Sequence, residues 1–191
     1  MLFEPCILVC GEGLVARVIA DGLRAARHRV LEARDLEECS PRLTSARALV
    51  LADPLPDSRS LVQTLGALAG SRPRRRAPLR VIMTFAGPRP TVARLPEGAP
   101  VALELLDLEH QAARIWLARR PLHGAMDPLF GQQAHILMAG TAAPYRALSL
   151  EAMHLAHYGG KPPVFTLASA DPEGQRRSFL AEYPSACLLY T

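Results

Sequence analysis

Mostly apolar runs of strand length alternate along this chain with segments whose apolar residues recur at helical spacing, and that alternation is the strongest constraint on its fold. Cys6 to Cys10 reads CILVC, and Gly11-Glu12-Gly13 follows at once. Val15, Val18, Ile19, Leu23 and Ala26 then recur along one side of a helix. Val30 to Ala33, Ala46 to Ala52 (ARALVLA), Leu79 to Phe85 (LRVIMTF) and Val101 to Leu106 (VALELL) are further strands. Between the third and fourth strands, Leu61, Leu65 and Leu68 mark a helix that Asp57 or Ser58 would cap. Leu108 to Arg120 reads as another helix. Strands without polar alternation suit a parallel sheet covered on both faces. Right-handed crossovers through the helices then give the expected fold class, α/β with a Rossmann-like doubly wound parallel sheet.

Five strands complete a small domain, placed at residues 1–120. Residues 121–134 (PLHGAMDPLFGQQA) hold two Pro and two Gly and read as a linker. The opening pattern then returns over residues 135–191. His135 to Ala139 is a strand, Gly140 starts a turn, and Leu148, Ala152 and Leu155 mark a helix. Val164 to Ala168 is the next strand, and Asp171-Pro172 leads into a helix through Phe179 and Leu180. This second copy is a partial Rossmann-like unit of two strands, too few to bury both faces of a sheet alone. It packs on the first domain or on another chain, or the sequence is a piece of a longer one. A homo-oligomer is the expected assembly.

Composition narrows the function classes. No apolar run approaches the roughly 20 residues of a membrane-spanning helix, so no direct membrane insertion is expected. The start, MLFEPCILVC, has no Lys or Arg before its apolar run, which argues against a secretory signal and for the cytoplasm. The formal charge is +4, carried almost wholly by arginine, with Lys161 the only lysine. The densest basic stretch, Arg72, Arg74, Arg75 and Arg76, has no neighbouring aromatic to stack a base and reads as a solvated loop, so no nucleic acid is expected. Cys6, Cys10, Cys39 and Cys187 form no CxxC pair, and no His stands at zinc-finger spacing. They read as reduced structural thiols, with no metal site.

The first turn carries the chemistry. Gly11-Glu12-Gly13-Leu14-Val15-Ala16 fits G-x-G-x-x-G/A between a strand and a helix, the context that gives this pattern meaning. The first Gly permits the tight turn, the second lets a pyrophosphate approach the backbone, and Ala16 lets helix pack closely on strand. The amides of Gly13, Leu14 and Val15 would face the phosphates. At the end of the second strand, where an acid would bind the adenosine ribose, stands Arg34, with Asp35 next. Arg34 suits a 2′-phosphate or stacks on adenine. Asp35 reaches the ribose if the strand end shifts by one residue, or caps a short helix through Cys39. Asp53, closing the third strand, completes the candidate cofactor residues. The second turn, Gly140-Thr141-Ala142-Ala143-Pro144-Tyr145, keeps only its first Gly, and Ser169 stands in the ribose position. It reads as a relic that binds no dinucleotide.

At these residues the chain resembles the RCK domain (regulator of potassium conductance) of the TrkA-N type. The stretch ILVCGEGLVARVIADGLRAARHRVLEARD matches that family's strand, glycine turn, helix and second strand. HILMAGTAAPYRALSLEAMHLAHYGGKPPVFTLASADPEGQRRSFLAEYP looks like the second such domain of tandem channel-associated proteins. The resemblance implies sensing of NAD(H) or an adenine nucleotide, dimer or ring assembly, and control of potassium flux through a membrane channel or transporter partner.

Function is therefore expected to be regulatory binding rather than catalysis. The candidate ligand is NAD, with ATP, ADP or NADP as alternatives. An NAD(P)-dependent oxidoreductase would need a proton donor beside the nicotinamide, and there is no Tyr-x-x-x-Lys pair. His110, His123, His154 and His157 are available, the last two positioned to share a helix face. A scaffold with a non-binding Rossmann fold is the third reading.

Overall fold

The computed structural model describes residues 6–52, 65–66, 77–87, 89–90, 101–122, 133–140, 143–156 and 162–184. By its internal contacts the chain divides into two compact units, Met1–Asp107 and Leu108–Thr191.

The first unit begins with β1 (Ile7–Cys10), α1 (Leu14–Ala25), β2 (Val30–Ala33), α2 (Leu36–Leu43) and β3 (Ala48–Leu51). It continues with β4 (Leu79–Phe85) and β5 (Val101–Asp107). The strands form one parallel sheet in the order β2-β1-β3-β4-β5. The fold is thus Rossmann-like and doubly wound. Its strand order is the second common one, 2-1-3-4-5, in which the chain crosses from β2 over β1 to reach β3.

Alternate side chains of each strand serve opposite faces. Leu8, Cys10, Leu49, Leu51, Val81 and Met83 pack with Cys39 and Leu43 of α2. Val9 and Val50 pack with Ala16 and Ala20 of α1. Leu65, from the helix expected between the third and fourth strands, is helical and fully buried in the α2-side core. Asp57, Ser58, Leu61 and Leu68 lie outside the described residues. The packed face of α1 is rotated from the expected stripe: Val18 is 61% exposed and Ala26 is exposed. Small residues win this face because Ala16 and Ala20 let the helix axis come close to the sheet.

Helix α1 ends in a Schellman motif. His28 N–H donates to Leu23 O at 3.0 Å and Arg27 N–H to Arg24 O at 2.8 Å. Arg27 occupies the left-handed position, with φ of 62°. A Cβ makes that conformation costly, so Arg27→Gly is expected to stabilise the first unit by about 1 kcal/mol. Chemical denaturation would show this as a raised midpoint at unchanged slope; an unchanged or lowered midpoint would refute it.

The second unit contains α3 (Leu108–Arg119), β6 (His135–Ala139), α4 (Ala143–Leu155), β7 (Val164–Ala168) and α5 (Pro172–Glu182). Residues 108–119, grouped by the sequence with the first domain, pack here against α4. The expected linker lies mostly outside the described residues, as does the basic stretch Arg72 to Arg76. β6 and β7 pair in parallel, Ile136 opposite Phe165 and Met138 opposite Leu167. Met153 of α4 and Phe179 of α5 form the buried centre of this unit, and Phe165, Leu150 and Leu180 pack against them. The other face presents His135, Leu137, Ala139, Val164, Thr166 and Ala168, with Leu137 69% exposed. Among the described residues, no helix is long and apolar enough to cross a membrane.

Candidate functional site

In a 2-1-3-4-5 sheet the chain leaves β1 in one direction to β2 and crosses back to β3 on the other side. The strand ends of β1 and β3 therefore bound a crevice, the place where open α/β sheets receive ligands. Two hydrogen bonds set its floor: Gly11 N–H donates to Ala33 O and Ala52 N–H to Cys10 O, both at 2.9 Å.

The chain turns at Gly11, whose φ of 143° is open only to glycine without strain. Gly13 follows as the N-cap of α1, extended at φ −76° and ψ −179°. No acidic residue lies in the first helical turn, so the positive end of the helix dipole is not offset from within α1. Val15 is half-buried against the α1-side core, while Leu14 is 74% exposed at the mouth.

Two charged side chains face each other at this mouth. Arg34 Nε lies 3.6 Å from Glu12 Oε1, and both side chains are largely exposed. Asp35 is the N-cap of α2: its Oδ1 accepts from Glu38 N–H at 2.9 Å. Glu38 returns the interaction, its Oε2 accepting from Arg34 N–H at 2.9 Å. Of the two roles open to Asp35 from sequence, the structure shows the capping one. Asp53 lies outside the described residues.

The second turn repeats the first in backbone and departs from it in side chains. Gly140 has φ of 139°, and its N–H donates to Ala168 O at 3.3 Å, as Gly11 does to Ala33. The ring of Tyr145 covers it: a Cβ placed on Gly140 would stand 2.9 Å from Tyr145 Cε2. The cavity that remains beside Gly140, Tyr145, Ser149 and Phe179 is about 10 Å³, no more than one water needs. Ser169 Oγ is buried and has no hydrogen-bond partner among the described residues.

Cys6, Cys10 and Cys39 are buried and unbridged. A hydrogen bond from Cys10 holds the Cys39 thiol below its ordinary value, against burial and the charges of Asp35 and Glu38. His154 is exposed on α4, and His157, Cys187 and Lys161 lie outside the described residues. Among the described residues, no group of three or more His, Cys, Asp or Glu side chains could hold a metal ion.

The second unit contains a polar cluster whose members come from stretches far apart in the sequence. Glu151 of α4, its side chain 7% exposed, receives two hydrogen bonds on Oε1, from Arg114 Nε and His110 Nδ1, each at 3.0 Å. With Nδ1 donating, His110 Nε2 accepts from the Tyr183 hydroxyl at 3.3 Å. The two rings meet edge to face, their centroids 5.9 Å apart. Burial pushes the Glu151 carboxyl up, but the hydrogen bonds from Arg114 and His110 and the charge of Arg114 outweigh it and hold the group below the usual carboxylate range. One signal in the sequence marks this cluster: His110 and Arg114 stand four apart and so share one face of α3.

Comparison with known protein families, curated proteins and solved structures finds no match to this chain.

Proposed function

We propose that the first unit binds a nucleotide by its phosphates at the β1–α1 turn and acts as a regulatory module. The carrying observation is the turn itself. Gly11 in the left-handed region delivers an extended Gly13 to the start of α1, beside the crevice at the β1 and β3 ends, with no acid in the first helical turn. NAD(H), NADP(H) or an adenine nucleotide is the ligand class. The resemblance to RCK domains supports a regulatory role, with a membrane channel or transporter as the responding partner.

The cap supports a refinement. One oxygen of Asp35 is engaged at the start of α2, whereas Arg34 stands at the end of β2 with its guanidinium largely exposed. This favours a phosphate on the ribose, which Arg34 would take in exchange for Glu12. A charge-assisted bond of that kind gives roughly a tenfold to hundredfold preference for the phosphorylated dinucleotide.

Calorimetric titration with NAD, NADH, NADPH, ATP and ADP tests both points. Gly13→Asp is expected to abolish binding, because a carboxylate would occupy and repel the phosphate position. The fold should persist, since the Gly13 backbone is open to any residue and Asp is a favourable N-cap. Arg34→Ala should remove only the preference for NADPH. Unchanged affinity in Gly13→Asp would show that the site lies elsewhere. No binding by the wild type would leave the scaffold reading.

A further inference from the structure

The second unit holds a cavity of about 560 Å³, within the roughly 300–1,000 Å³ of small-molecule sites. Leu117, Ala118, Leu122 and Leu155 give it an apolar wall, and Glu151 and Arg114 stand in that wall. Both protein donors reach the same carboxylate oxygen, Glu151 Oε1, and among the described residues none reaches Oε2. The cavity thus has one ionised oxygen available to a donor in an otherwise apolar setting. Arg114 balances the charge of Glu151, so the pair favours an uncharged guest over an ion of either sign. The planar guanidinium of Arg114, more than half exposed, also offers a surface on which a flat ring stacks.

We propose that this cavity binds a flat, uncharged, mostly apolar molecule carrying an N–H donor, which bonds to Glu151 Oε2 while its ring lies against Leu117, Leu122 and the Arg114 guanidinium. The site belongs to the second unit and does not depend on nucleotide binding at the first glycine turn.

Indole and benzofuran have nearly the same shape, and only indole has the N–H. Titrated calorimetrically into the full chain, indole is expected to bind roughly tenfold or more tightly than benzofuran, the effect of one hydrogen bond to a charged acceptor. Glu151→Gln should narrow that ratio. Because Glu151 also holds α3 to α4, a second variant is needed: Ala118→Trp fills the cavity while Glu151, Arg114 and His110 all keep their side chains, and should abolish binding of both compounds. Equal affinity for indole and benzofuran would overturn the proposal, as would no binding of either. Tighter binding of indole-3-propionate would instead mark an anion site on Arg114. Retained indole binding in Ala118→Trp would place the compound outside this cavity.

Discussion

Arg114→Ala combined with His110→Ala is expected to destabilise the second unit by about 3 kcal/mol or more, the cost of leaving a buried carboxylate without its partners. Glu151 reaches solvent with only 7% of its side chain, and its two described donors come from α3. The pH dependence should reverse as well. In the wild type the folded value of Glu151 lies below the unfolded one. Its contribution to stability is therefore present above the unfolded value and lost as pH falls through the folded value. In the double variant burial acts unopposed and lifts the folded value above the unfolded one. Stability is then greatest in acid and declines as pH rises through that lifted value. Thermal unfolding from acid to neutral pH, followed by circular dichroism, separates the two cases. Parallel pH curves for wild type and variant would show that the cluster does not set the Glu151 charge.

Leu49→Ala should cost the first unit about 3–5 kcal/mol, a large part of the 5–15 kcal/mol that holds a typical domain together. Leu49 is fully buried in β3, aligned with Leu8 of β1 on one side and Val81 of β4 on the other, both fully buried. A truncation there opens a cavity between neighbours fixed by strand pairing on both sides, so the site cannot collapse around it. Leu14→Ala is the matched control, a leucine 74% exposed whose loss should change stability by no more than about 0.5 kcal/mol. Guanidinium unfolding of the two variants should give clearly separated midpoints; similar midpoints would mean that β3 is not the centre of this core.

Much of the first unit was legible because its signals are local. CILVC, ALVL and LRVIMTF leave little alternative to buried parallel strands, and Gly11 at φ 143° meets a backbone demand readable from residue type. The recurrence of that turn at Gly140 was legible for the same reason, as was the Asp35 cap, although only as one of two roles. Periodicity alone does not place Val18, since the helical stripe tolerates a rotation that close approach of Ala16 and Ala20 decides.

The sequence by itself determined the order and type of the elements, the parallel sheet and the glycine turn that opens α1, because periodicity and backbone preference act over a few residues. Tertiary structure decided that β3 lies beside β1, that residues 108–119 join the second unit, and that His110, Arg114 and Tyr183 gather around Glu151. Either neighbour for β3 leaves the local pattern of every strand and helix unchanged. The choice is made by side chains far apart in the chain, whose burial and charge pairing have no period to read.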